Sequence, residues 1–271
     1  MPDMPALLVF GAHPDDCELT AAGLAALYAS RGGRVCFVAL TNGDAGHQSM
    51  GGAELARRRR DEARAAAAAV GAASIVLDNH DGALMPTLEN RVELIRIIRE
   101  FRPDLVLCPR PNDYHPDHRY TSILVQDASY MVTVPNVAAF SPRLERDPVV
   151  MYVSDRFRKP CPFEPDVVID TTPVIDRKLE ALHRHASQVY EWLAWHAGEA
   201  ESVPRDESRR RAWLRERYDE RLRGDADRFR DALVARYGPE RGRAIAYAEA
   251  FEACEYGSPL TDEAKARLFP F

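Results

Sequence analysis

The sequence has 271 residues and very little lysine: three of its 36 basic side chains are lysines, at Lys159, Lys178 and Lys265. It has no apolar run near the ~20 residues of a membrane span, so no membrane partner is expected. It has no paired cysteine spacing either. Cys17, Cys36, Cys108, Cys161 and Cys254 are scattered, odd in number and free of C-x-x-C. That argues against a disulfide framework or a thiolate zinc site and for a reducing, cytoplasmic setting. Met1-Pro2-Asp3-Met4-Pro5 lacks a basic n-region, so no signal peptide is expected. Positive charge is not in excess: the net charge of −6 gives no global attraction to nucleic acid or anionic lipid.

What is present is the balance of an ordinary globular protein, 46% hydrophobic and 29% charged, long enough to bury a full core without staples. Short apolar runs at residues 6–10, 35–40, 74–77 and 105–108 read as buried strands. Between and after them, residues 19–30, 53–70, 88–101 and 117–132 read as helices. Strands separated by helices predict βαβ units and a Rossmann-like, doubly wound, mostly parallel sheet with helices on both faces. The second half is less regular. Residues 149–153 and 167–169 read as strands, 174–195 and 243–254 as helices, and 202–237 as a charged, solvated helix or helix pair. No repeat or linker divides the chain. One domain over 1–271 is expected, with a core of about 5–200 and the stretch 202–237 as C-terminal helical decoration.

In a doubly wound sheet, ligands sit outside the carboxyl ends of the strands. Three such ends are rich in titratable groups: residues 11–18 (Gly-Ala-His-Pro-Asp-Asp-Cys-Glu), 78–82 (Asp-Asn-His-Asp-Gly) and 109–118 (Pro-Arg-Pro-Asn-Asp-Tyr-His-Pro-Asp-His). The first and last hold three histidines and five acids. His13 and Asp16 are three apart across a turn stiffened by Pro14. His115 and His118 share a helix face, with Pro116 and Asp117 as helix-start signals. Two or three of these four side chains make a divalent-metal site with an open position, the catalytic zinc pattern. The remaining acids then serve as base and acid. Spacing alone does not decide between Asp15 and Asp16, or between His115 and His118, as ligands. Taken singly, an acid pair after a strand is as readily a helix cap, and a lone histidine is more often a surface group.

Gly11-Ala12-His13-Pro14-Asp15-Asp16 with His115-Pro116-Asp117-His118 resembles the PIG-L/LmbE-like deacetylase family. The likeness runs through most of the first 135 residues, including Thr41-Asn42-Gly43-Asp44, Arg59, Glu62 and Asp81-Gly82. Weaker echoes lie at His185-Ala186-Ser187-Gln188 and Tyr247-Ala248-Glu249-Ala250-Phe251. The resemblance implies a zinc-dependent N-deacetylase releasing acetate from an N-acetylglucosamine-type sugar or conjugate. It implies one Zn2+ per chain, with other divalent metals such as Fe2+ also suited, and homo-oligomers are common in the family. It implies His13, Asp16 and His118 as metal ligands, Asp15 as general base, and His115 as acid or oxyanion stabiliser oriented by Asp117. By the same resemblance Arg59 touches substrate or the leaving acetate. Asp81 binds a sugar hydroxyl or caps its loop.

Other residues are read from the sequence alone. Asp113 could hold a ligand imidazole through its second nitrogen or simply cap a turn. Trp192 and Trp195 could stack on a sugar but more often such a pair is core. Three rivals remain. One is an amidase or deacylase of a thiol conjugate or natural product. Another is a non-haem iron oxygenase, which the doubly wound pattern disfavours. The third is a receiver-like or ligand-binding module. It leaves both late histidines unexplained and wants a strand-end lysine that the first half lacks.

Overall fold

The computed structural model describes residues 4–271; the leader expectation at Met1–Asp3 lies outside them. The first half alternates as expected: β1 (Leu7–Gly11), α1 (Asp16–Ser30), β2 (Val35–Thr41), α2 (Gly52–Val70), β3 (Ala73–Asn79), α3 (Leu88–Phe101), β4 (Leu105–Cys108) and α4 (Pro116–Met131). β5 (Val149–Val153) and β6 (Val167–Asp170) come next, then α5 (Ile175–Arg184), α6 (Leu193–His196), α7 (Glu207–Arg228), α8 (Arg230–Tyr237), α9 (Pro239–Ala244), β7 (Ala248–Gly257) and α10 (Asp262–Leu268). The seven strands form one sheet in the order β3-β2-β1-β4-β5-β7-β6. Its first five strands are parallel, and β7 runs antiparallel to both β5 and β6.

Alternation along β1 shows how the layers form. Leu7 and Val9 pack on one face against α1, α2 and α5, and Leu8 and Phe10 on the other against α3 and α4. Strands buried on both faces read as continuous apolar runs, which is why they were visible in sequence. β1 lies between β2 and β4, so the loops that leave β1 and β4 turn to opposite faces and open a crevice at the switch point. No helix among the described residues is long and apolar enough to cross a membrane.

Two second-half expectations are corrected. Residues 243–254 are not a helix: α9 ends at Ala244 and β7 takes Ala248–Gly257. Alanine and glutamate favour helix, but here Phe251 packs with one core layer and Ala248 and Ala250 with another, a period-2 burial imposed by β5 and β6. Residues 174–195 are not one helix either. α5 stops at Arg184, His185 takes φ −80° and ψ 58°, and a π-helical turn over Ser187–Trp192 precedes α6. The break lets His185 turn fully inward, at 0% exposure. The charged stretch forms the pair α7 and α8, and Leu214, Tyr218 and Leu222 line its inner side.

Candidate metal centre

The loop after β1 folds tightly because Gly11 has no side chain; a Cβ there would lie 2.7 Å from Asp16 Cβ. Asp16 Oδ2 then accepts the backbone N–H groups of Ala12 at 2.9 Å and His13 at 2.8 Å. His115 is the N-cap of α4 and Pro116 its first residue, which sets His118 one turn into the helix, facing the crevice.

The structure brings His13, Asp16 and His118 together. His13 Nδ1 lies 3.4 Å from Asp16 Oδ2 and 3.3 Å from His118 Nε2, and His118 Nε2 lies 3.4 Å from Asp16 Oδ2. Four donors at ~2.0–2.1 Å from a tetrahedral zinc stand about 3.3–3.4 Å apart, so this triangle is one face of such a tetrahedron. The outer ring nitrogens are also engaged. His118 Nδ1 lies 3.0 Å from Asp113 Oδ1, and His13 Nε2 lies 3.1 Å from Asp81 Oδ1 and 3.3 Å from Asp117 Oδ2. A carboxylate behind an imidazole fixes its tautomer and strengthens its free nitrogen as a donor. The wider cluster offers two further donor sets, His13/His115/His118 and His13/Asp81/His115/Asp117, each within 4.8 Å.

Charge makes the same demand. Burial works against protonation of His118, but Asp16 and Asp113 outweigh it and push its pKa up to about 10. His13 is likewise held well above its usual value, burial being overcome by hydrogen bonds to Asp117, Asp16 and Asp81. Asp16 is held well below the carboxylate range, since the two histidines overcome the upward push of burial. The acids around the two imidazoles thus favour positive charge at this donor set. The residues present fit a divalent metal.

Asp15 points elsewhere than its neighbour. Its Oδ1 accepts from Arg59 Nη2 at 3.0 Å, and its pKa is raised by burial, with Asp16 adding to this and Arg59 opposing it. His115 Nδ1 accepts the backbone N–H of Asp117 at 3.2 Å, so the proton of the neutral ring sits on Nε2. Burial, then the charges of His13 and His118, lower its pKa. Tyr114 lies edge-on to both late histidines, its ring 5.8 Å from His115 and 5.7 Å from His118, and is 72% exposed.

Three placements differ from the sequence expectations. Asp117 meets His115 only through its backbone; its fully buried carboxylate accepts Gly82 N–H at 2.7 Å and Leu84 N–H at 3.2 Å and faces His13. Asp81 is turned to His13 and Arg59 rather than to open space. Arg59, 2% exposed, lies behind the site instead of lining it. It donates to Asp15, Pro14 O and Gly43 O. Gly43 and Gly46 leave the room it occupies, for a Cβ at either would come within 2.8 Å of the guanidinium. Trp192 and Trp195 stack on each other at 5.4 Å, with Trp195 half exposed.

Sequence reasoning passed over Glu18, 2% exposed, whose Oε2 lies 3.3 Å from His185 Nε2 beneath the site. It also gave no role to Glu62, which accepts from the Ser187 amide and hydroxyl, or to Gln188, which donates to Gly46 O at 3.0 Å. The 185–188 echo was the available signal: these residues brace α2 and the loop that encloses Arg59.

Over residues 8–129 the chain matches the family described as PIG-L, GlcNAc-PI de-N-acetylase. It is similar to the diacetylchitobiose deacetylase of Thermococcus kodakarensis, 31% identical over 207 residues, or 71% of this chain and 74% of that protein. It is also similar to the 4-oxalmesaconate hydratase of Pseudomonas putida, 28% identical over 193 residues, or 68% of this chain and 74% of that one. The fold is shared with the solved N,N'-diacetylchitobiose deacetylase of Pyrococcus horikoshii, with a TM-score of 0.72 and 24% identity over 93% of this chain and 84% of that one. With strand-end loops of this composition and a relative of that likeness, the chain belongs to the PIG-L/LmbE-like GlcNAc-PI de-N-acetylase family of enzymes.

Proposed function

We propose that this protein is a zinc-dependent N-deacetylase that hydrolyses the acetamide of an N-acetylglucosamine-type sugar or conjugate, with His13, Asp16 and His118 as the metal ligands. The triangle of donor atoms at 3.3–3.4 Å carries the reading, and the deacetylase relative supports it. A zinc ion held there would supply Lewis acidity to the amide carbonyl and to water.

The protein's own groups do the rest. Asp15, with Oδ1 tied to Arg59, has Oδ2 to take the proton of the attacking water. Its raised pKa suits it to hold that proton and pass it to the departing nitrogen. His115 presents Nε2–H, because Nδ1 is occupied by a backbone donor, and hydrogen-bonds the oxygen that gains charge as the carbonyl is attacked. Asp113, Asp81 and Asp117 hold the two ligand imidazoles in tautomer and orientation. Arg59 is a positioning residue: it fixes Asp15 and bridges it to Asp81. Water and the amide give acetate and a free amine.

Elemental analysis beside acetate release from N-acetylglucosamine, diacetylchitobiose and a glycoside of N-acetylglucosamine tests the reading. About one zinc per chain with acetate released supports it. Failure to bind any divalent transition metal refutes it. The hydratase relative gives a second reading on the same site; turnover of 4-oxalmesaconate with no acetate from any amide would favour that one.

A further inference from the structure

The break between α5 and α6 reaches three neighbouring elements at once. His185 Nε2 lies 3.3 Å from Glu18 Oε2 in the first turn of α1. Ser187 donates its amide to Glu62 Oε1 at 3.0 Å and its hydroxyl to Glu62 Oε2 at 2.6 Å, on α2. Gln188 Nε2 donates to Gly46 O at 3.0 Å in the loop after β2. The two helices carry Asp15 and Arg59, and the loop supplies Gly43 O, to which Arg59 also donates. A π-helical turn is rare and frequently sits at a functional site. Here it sends buried side chains into the frame around one acid–arginine pair.

The first turn of α1 depends on this outside hold. Asp15-Asp16-Cys17-Glu18 has the pattern of a capping box, in which the first side chain accepts from the helix and the glutamate reaches back. α1 uses neither bond. Asp15 is the N-cap, yet its side chain caps nothing, and Arg59 Nη2 holds its Oδ1 at 3.0 Å. The Asp15 amide is already bonded to His13 O at 2.9 Å, and Glu18 is turned to His185 instead. Both acids of the box are thus fixed by other elements, Asp15 by α2 and Glu18 by the α5–α6 break.

Packing alone does not account for the Glu18–His185 contact. His185 is fully buried, and neither ring nitrogen makes an aligned hydrogen bond. Burial works against charge on this ring, and Glu18, then Asp15, overcome it. An apolar pair of similar volume often holds two elements together as well or better. What a charged pair adds is a fixed geometry. The backbone beneath the ring is held too, since His185 O accepts the amides of Gln188 at 3.0 Å and Val189 at 2.8 Å.

We propose that His185, Ser187 and Gln188 are positioning residues for the hydrolysis: through Glu18, Glu62 and Gly46 they hold the first turn of α1 against Arg59 and so set where the free Oδ2 of Asp15 points. The proposal rests on the deacetylase reading, in which that oxygen takes the proton of water. Asp16 is held separately, by the amides of Ala12 and His13. The brace therefore acts on the proton-moving step and leaves metal and substrate affinity alone.

The test compares zinc-loaded His185→Gln, Glu18→Gln and Ser187→Ala with the unsubstituted protein. The kcat for acetate release should fall in all three, by roughly 10–100-fold where the Glu18–His185 pair is broken, as for a misplacement of up to about 1 Å. KM and zinc content should stay as they are. On an Asp15→Asn background His185→Gln should cost little more, since the brace then has no base left to place. Hydrogen exchange, measured without substrate, should quicken over residues 15–19 and 43–46. An unchanged kcat, an equal loss on both backgrounds, or exchange raised across the whole chain overturns the brace. Should the histidine variant not fold, Ser187→Ala, which removes one hydroxyl, decides by the same readings. Local loosening in a protein that releases no acetate sinks deacetylation and keeps the brace. Acetate release with kcat untouched by the substitutions sinks the brace alone.

Discussion

Metal uptake by this protein should expel about one proton or more. Without metal, His118 has its pKa pushed up to about 10, and His13 lies well above its usual value. His118 is therefore protonated at pH 7, and the carboxylates around His13 draw it in the same direction. A metal that takes Nδ1 of His13 and Nε2 of His118 must displace any proton that either nitrogen carries, which for His118 is a full one. Two ordinary histidines of pKa ~6.5 would together release only about 0.5 proton at that pH. The assay is calorimetric zinc titration of chelator-stripped protein in buffers of different ionisation enthalpy, where the slope of heat against that enthalpy counts protons. A slope of about one or more supports the cluster as described. A slope at or below about 0.5 refutes the argument from charge.

Four further outcomes are expected. Asp16→Ala and His118→Ala should each lose bound metal and acetate release together, seen by elemental analysis and assay. Asp15→Asn should keep its metal and lose activity by roughly 10²–10⁴-fold; if the metal leaves instead, the roles of the two acids are exchanged. Arg59→Gln strips a buried carboxylate of its partner, costs about 3–5 kcal/mol in denaturant unfolding, and moves the acid limb of the activity profile to higher pH, because Arg59 holds the Asp15 pKa down. Gly43→Ala forces a side chain onto φ +70° and brings its Cβ 2.5 Å from Arg59 Nη1, so unfolding should become easier by at least ~1–2 kcal/mol.

The first half was legible because β1, β2 and β4 are buried along their whole length and its helices carry their own stop signals, such as Gly71 in the left-handed conformation after α2. The donor cluster was legible for a related reason: a switch point gathers the loops that leave β1 and β4, so titratable residues in those two loops meet. Spacing could not tell Asp15 from Asp16. That distinction lies in a turn whose backbone amides claim Asp16 while Arg59 claims Asp15. Arg59 itself misled, since one of four consecutive arginines gives no sign that two glycines elsewhere make room to bury it. β7 was hidden because its residues prefer helix in isolation and are held as a strand by neighbours about 80 to 100 positions away.

His13 and His118 are separated by 105 positions along the chain. The donor cluster comes together only when β4 has docked beside β1. The growing polypeptide thus lacks this cluster until α4 has emerged. Closing so long a loop is a slow, non-local event. With the ligands proposed above, metal capture would be a clock for folding: the moment a zinc-sensitive dye loses its ion to refolding protein would mark the joining of those two strands.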